Sequence, residues 1–222
     1  MEEKRVQVNA AGVELEGDLG IPEGATALIL FAHGSGSSRR SPRNRKVARI
    51  LRDGGLATLL IDLLTAEEEA VDLKTAELRF NIGLLAERLV GATDWLRENP
   101  ETSRLRIGYF GASTGAAAAL VAAAERPDAA GAIVSRGGRP DLAGDALEYV
   151  RAPTLLLVGG LDVPVIHLNR EAFNRLHCEK RLEIVPGATH LFEEPGALEK
   201  VAQLASEWFQ LHMIGRTRTA GT

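Results

Sequence analysis

One five-residue stretch constrains this chain more than any other. Gly111-Ala112-Ser113-Thr114-Gly115 stands between a mostly apolar run over 105–110 and an alanine-rich run reaching about Glu125. The first run reads as a buried strand and the second as a helix. Gly-x-Ser-x-Gly in that context is a sharp strand-to-helix turn, which strains the serine backbone and lifts its hydroxyl out of the sheet. Small flanks are required because larger side chains would collide across so tight a bend. With 23 glycines in the chain the pattern by itself is weak; the strand before it and the helix after it give it meaning.

The rest of the chain alternates in the same way. Val6, Val8, Val13, Leu15 and Leu19 sit among polar neighbours around a turn at 9–12, which predicts an N-terminal hairpin. Short apolar runs at 27–31, 56–63, 132–134, 154–158 and 182–185 predict buried strands. Helices are expected from Ser41-Pro42 to Gly54-Gly55, over 78–96 ahead of Asn99-Pro100, around 165–176, and from Pro195 onward. Glu67, Glu68 and Glu69 read as a solvated acidic turn. Near-continuously apolar strands alternating with helices indicate an α/β fold: a mostly parallel open sheet covered by helices on both faces. The expected organisation is a single domain over 1–215 with a frayed polar tail at 216–222.

A serine hydroxyl is a poor nucleophile near neutral pH and needs a base. In a fold of this kind the partners follow the serine in the order acid, then histidine. Gly159-Gly160-Leu161-Asp162 follows the strand at 154–158, and Pro186-Gly187-Ala188-Thr189-His190 follows the strand at 182–185. Both turns fall beyond carboxyl ends of strands, where open α/β sheets build their sites. Ser113 is therefore the candidate nucleophile, His190 the base and Asp162 the residue that orients it. Asp62 also ends a strand, but precedes the serine. His167, His177 and His212 fall on expected helices, and His33 belongs to an earlier loop that it is expected to order. An oxyanion formed at Ser113 needs two N–H donors. Thr114, opening its helix, supplies one; Ser35 in His33-Gly34-Ser35-Gly36 is expected to supply the other, with Gly34 as its substitute.

Over nearly its whole length the chain resembles the α/β-hydrolase superfamily, and within it the small dienelactone-hydrolase-like branch. The His33-Gly34 loop, the Ser113 elbow, the Gly159-Gly160-Leu161-Asp162 turn and the Gly187-Ala188-Thr189-His190 turn carry that resemblance, in this order. It implies a sheet of about seven or eight strands. No room for a large cap domain is left between Leu63 and the elbow helix. Dienelactone hydrolases proper carry a cysteine nucleophile, so Ser113 implies an esterase-like reaction: cleavage of a small ester, thioester or lactone through an acyl-enzyme. Acyl transfer to another acceptor, or a binding module that has lost turnover, are the alternatives.

Composition excludes more than it selects. A net charge of −4 argues against nucleic acid as a partner. No apolar run is long enough to span a bilayer. A lone cysteine, Cys178, permits no internal disulfide, and a cytoplasmic setting is expected. The histidines show no metal-ligand spacing, so neither metal nor organic cofactor is expected. On this acidic chain, arginines nevertheless gather in two loops near the candidate site: Arg39, Arg40 and Arg43, and Arg136 and Arg139. Arg136 and Arg39 are the candidate contacts for a small, anionic substrate.

Overall fold

The computed structural model describes residues 3–214; the expected tail at 216–222 lies outside the described residues. β1 (Lys4–Ala10) and β2 (Val13–Gly20) form the N-terminal hairpin. They are followed by β3 (Ala27–Ala32), β4 (Ala57–Ile61), β5 (Arg106–Ala112), β6 (Ile133–Arg136), β7 (Thr154–Gly159) and β8 (Lys180–Val185). All join one eight-stranded sheet in the order β1-β2-β4-β3-β5-β6-β7-β8. Only β1–β2 and β2–β4 pair antiparallel; every other neighbour is parallel. This is the mostly parallel sheet expected from the apolar runs, with the strand number that the resemblance to α/β-hydrolases implies. Every residue of β3, β4 and β7 is buried, as strands covered on both faces must be, whereas β8, at the sheet's edge, is mostly half-exposed.

Helices α1 (Pro42–Asp53) and α6 (Ala197–Phe209) cover one face. α3 (Ile82–Glu98), α4 (Thr114–Glu125) and α5 (Val163–Arg175) cover the other. Helix α1 begins as its sequence dictates: Pro42 occupies the first turn and the Ser41 hydroxyl accepts from the Asn44 N–H at 3.4 Å. Its apolar side, Val47, Ala48 and Leu51, meets the face bearing Phe31 and Phe110. Those rings lie 4.8 Å apart across β3 and β5, and each contributes about 2–3 kcal/mol by leaving water.

Three stretches differ from the sequence expectation. Glu67, Glu68 and Glu69 do not form a turn; they open α2 (Ala66–Thr75). Thr65 and Glu68 make a reciprocal cap there, with Glu68 N–H to Thr65 Oγ1 at 3.2 Å and Thr65 N–H to Glu68 Oε2 at 2.9 Å. Three acids suit the positive end of a helix dipole. The following helix starts at Ile82, capped by the Asn81 side chain, and not at Leu78. Asp72 explains the delay: its carboxylate accepts from the N–H groups of Leu78 and Arg79 at 2.8 and 3.0 Å, holding a separate 3₁₀ turn over Leu78–Phe80. Residues Pro140–Tyr149, for which no element is predicted, form short helical turns kinked at Gly144. Because the central strands run parallel, the loops after β3, β5, β6, β7 and β8 all emerge at one edge of the sheet.

Candidate active site

Ser113 is the N-cap of α4 with φ 51° and ψ −121°, a region that L-residues avoid. Holding it there costs about 1–3 kcal/mol, which the surrounding contacts must offset. Those contacts are tight. A Cβ on Gly115 would stand 2.3 Å from the Ala32 carbonyl oxygen and 2.4 Å from that of His33, and one on Gly111 would stand 2.4 Å from the Ala116 Cα. The end of β3 therefore lies directly against the elbow, and only glycine fits there. The Ser113 N–H donates to the Arg136 carbonyl at 3.3 Å, and its own carbonyl accepts from Arg139 N–H at 3.1 Å. Its hydroxyl makes no hydrogen bond among the described residues.

The loops after β7 and β8 are stitched together. Gly160 N–H donates to Val185 O at 2.8 Å, and Leu161 N–H to Ala188 O at 2.9 Å. The crossing is close enough that a Cβ on Gly159 would meet the carbonyl oxygens of Ala188 and Thr189 at 2.4 and 2.5 Å. Asp162 and His190 meet as a result, with His190 Nδ1 2.6 Å from Asp162 Oδ2. Asp162 also stands at the N-cap of α5, a position where aspartate usually bonds the helix's own N–H groups. Here it caps nothing; its side chain is given to the imidazole. Asp62, the competing acid, is engaged by Arg39, whose backbone N–H donates to Asp62 Oδ1 at 2.7 Å and whose side chain pairs with Oδ2. Of the other histidines, His167 lies in α5, while His177 falls just beyond its end rather than within a helix.

His33 orders the loop after β3, as expected. Leu63 N–H donates to its Nε2 at 3.1 Å, so Nδ1 carries the proton that goes to the Gly34 carbonyl at 2.9 Å. Burial pushes the imidazole below its usual range, against the opposing pull of the Gly34 carbonyl and of Asp62 and Glu69. The Ser35 N–H is not idle in this structure: it donates to Thr114 Oγ1 at 2.9 Å. The Thr114 N–H has no partner among the described residues.

The arginine clusters separate once their partners are visible. Arg39 is already engaged: Asp62, Glu16 and Asp18 surround its guanidinium and more than balance its charge. Arg139 is held by Asp141 through two bonds, at 2.9 and 2.7 Å. Arg43 reaches Glu193 at 2.9 Å. Arg136 is buried, and its Nε and Nη1 have no partner.

A model of the dienelactone hydrolase family matches residues 17–213. The chain belongs to the dienelactone hydrolase family. A dienelactone hydrolase from Anabaena variabilis is 66% identical to it, with a TM-score of 0.94 over 96% of this chain and 98% of that one. Est1E from Butyrivibrio proteoclasticus shares the fold at 17% identity, with a TM-score of 0.78 over 96% of this chain and 99% of its own. Two Mycobacterium tuberculosis proteins, each named "Putative phosphoribosyl transferase", are 54% identical over 215 residues, which is 97% of this chain and 48% of theirs. The chain thus spans about half the length of the curated relatives it matches.

In this member of the dienelactone hydrolase family, a cavity of about 80 Å³ opens beside the loop after β3. Gly34, Ser35 and Thr114, neighbours of the elbow, line it together with Leu64, Leu73 and Leu85. Leu73 belongs to α2, so the helix missed in the sequence supplies part of the wall; its signal was the Thr65-x-x-Glu68 cap. Among the described residues no group of three or more His, Cys, Asp or Glu side chains is placed to hold a metal ion. No described helix is long and apolar enough to cross a membrane.

Proposed function

We propose that this family member is a serine hydrolase that cleaves a small ester, thioester or lactone in two steps. Ser113 Oγ attacks the carbonyl carbon while His190 Nε2 takes its proton, with Asp162 holding the opposite ring nitrogen and stabilising the imidazolium. The N–H groups of Thr114 and Ser35 receive the oxyanion; for Ser35 this means exchanging the Thr114 hydroxyl for a charged acceptor, a stronger bond. The leaving alcohol or thiol departs with the His190 proton. Water, deprotonated by His190, then attacks the acyl-enzyme, and Ser113 recovers its proton as the acid leaves.

The observation that carries this reading is the hydrogen-bonded His190–Asp162 pair standing at the same sheet edge as a serine held at φ 51°. The Anabaena relative supports it, since a dienelactone is itself a cyclic ester. A cavity of about 80 Å³, set against the several hundred typical of drug-sized ligands, favours a small substrate. The name borne by the Mycobacterium proteins describes chains about twice as long, and the reaction proposed here concerns only the half that aligns. A lone Cys178 supports a cytoplasmic setting.

Labelling with a fluorophosphonate, followed by a panel of short esters, thioesters and lactones, tests the proposal. Covalent modification at Ser113, absent from Ser113→Ala, is expected. A wild-type protein that neither takes the label nor turns over any of the panel would overturn it.

A further inference from the structure

The loop after β6 stands between the two halves of the proposed machinery. Ser113 follows β5, Asp162 follows β7 and His190 follows β8, so in the sheet order residues 137–139 lie between the nucleophile and the Asp162–His190 pair. They touch both. Arg139 N–H donates to the Ser113 carbonyl at 3.1 Å, and Gly137 N–H donates to Leu157 O of β7 at 2.7 Å. Gly137, at φ 50°, lies against the base. A Cβ there would stand 3.0 Å from the His190 carbonyl oxygen and 3.6 Å from Cε1, the ring carbon between the two nitrogens. It would also stand 3.3 Å from the Phe192 ring. Phe192 itself is held at φ 56°, a conformation that costs about 1–3 kcal/mol, so the packing here overrules local preference.

A segment with two consecutive glycines has little stiffness of its own. Gly138 has no room for a side chain: a Cβ would collide with Ser135 Oγ and stand 2.7 Å from the Ala116 Cβ. Its carbonyl is held instead by Asn169, a fully buried residue of α5, whose Nδ2 donates to Gly138 O at 3.0 Å and to Val165 O at 2.8 Å. Both partners are carbonyls, which only accept, so the orientation of the amide is settled. The other end of that amide finds nothing: Asn169 Oδ1 is buried without a partner among the described residues. An unpaired buried oxygen costs about 1–3 kcal/mol, which a leucine in its place would not incur. Packing alone therefore does not account for an asparagine here. Asn169 also belongs to the helix that Asp162 opens, seven residues or close to two turns further on. One rigid element carries the acid and clamps the segment on which the base rests.

We propose that Asn169 is a positioning residue of the reaction: by holding the Gly138 carbonyl it fixes the 137–139 segment, and with it the distance over which Ser113 passes its proton to His190. The chemistry of this role rests on the serine hydrolase reading; the geometry does not. Proton transfer needs the two heavy atoms within about 3.2 Å, and a displacement of about 1 Å at a reacting group costs up to about a hundredfold in rate.

Asn169→Leu matches the volume of the side chain and Asn169→Ala adds no bulk; both remove the donor, and both should show the same effects. Thr93→Val on α3 is the control, because it removes an equally buried hydrogen bond, between Thr93 Oγ1 and the Tyr109 hydroxyl at 2.7 Å, outside the loops of the site. With p-nitrophenyl acetate as substrate, kcat per folded molecule is expected to fall about tenfold to a hundredfold in the Asn169 variants, with KM little changed. The rate of fluorophosphonate labelling at Ser113 should fall with it, and Thr93→Val should keep the wild-type kcat. A second readout needs no turnover: the carbon NMR resonance of His190 Cε1 should shift in both Asn169 variants while that of His212 stays. A kcat no lower than that of Thr93→Val, a loss expressed in KM instead, or an unmoved His190 resonance would overturn the positioning role. Failure of both Asn169 variants to fold would mark a purely structural residue and overturn it as well. A His190 resonance that moves on substitution, in a protein whose wild type neither takes the label nor turns over ester, would keep the clamp and overturn the hydrolase reading.

Discussion

The backbone N–H of Ser35 donates to the hydroxyl of Thr114 at 2.9 Å, joining two residues 79 positions apart in the chain. One belongs to the loop after β3 and the other is the first residue of α4, so until substrate binds this bond sets the spacing between the two N–H groups assigned to the oxyanion. Thr114→Val keeps the size and the backbone donor but removes the acceptor. It is expected to lower kcat about tenfold, part of the loss seen when one oxyanion donor is removed outright. Thr114→Ser should retain most of the rate. A valine variant faster than the wild type would mean that the hydroxyl competes with the oxyanion instead of placing its donor.

The strain at Ser113 separates its structural from its chemical role. Ser113→Ala and Ser113→Gly should both reduce kcat by on the order of 10⁴ or more, as loss of a serine nucleophile does. They should differ in stability. Glycine adopts φ 51° without penalty, so after its larger unfolded-state entropy is counted, Ser113→Gly should exceed Ser113→Ala by about 1 kcal/mol in urea unfolding. Equal stabilities would show that the elbow stores no strain.

Asp162→Asn preserves shape while removing the charge that faces His190 Nδ1. A loss in kcat on the order of 10⁴ is expected, since the amide favours the wrong imidazole tautomer. In the wild type, kcat/KM should fall as the medium is acidified, because a protonated His190 cannot accept the serine proton. A rate flat from neutral to acid pH would exclude histidine as the base.

Stability should carry a separate pH signature from His33. Burial holds this imidazole below its usual range in the fold, whereas the unfolded chain titrates near 6.5. Above that value neither state is protonated and the group contributes no pH dependence. Below it the unfolded chain binds the proton more readily, so stability declines as pH falls, by at most about 1.4 kcal/mol per pH unit. Urea unfolding at pH 7.5 and 5.5 should show the decline in the wild type and a smaller one in His33→Gln. The carboxylates whose ionised forms are favoured, Asp72, Asp128, Glu194 and Glu199, act at lower pH, because their unfolded values are 3.8 and 4.5.

The sheet and the meeting of Asp162 with His190 were legible in the sequence because both depend on local signals: apolar runs of strand length, and turns whose glycines precede a functional group. Gly159 is the plainest case, a residue that only the crossing of two loops explains. What escaped depends on relations across the chain. The Glu67–Glu69 stretch looked like solvated charge until its cap at Thr65 was considered, and Asp72 delays α3 through bonds that no periodicity reports. Arg39 and Arg136 were indistinguishable as sequence. Glu16 and Asp18 from β2 and Asp62 from just beyond β4 surround the first, and among the described residues nothing comes to the second.

The sheet order places the two halves of the proposed machinery unequally. Ser113 follows β5, with β3 and β6 on either side, whereas His190 follows β8, the outermost strand, bonded on one side only. Detaching β8 requires breaking a single ladder, and its half-exposed side chains bury little apolar area to resist that. Amide exchange in β8 should therefore outrun exchange in β5, and warming should withdraw the proton acceptor while most of the sheet stands. Heat inactivation would then precede the loss of circular dichroism, and be reversible on cooling: a catalyst that switches off by loosening its border before its centre melts.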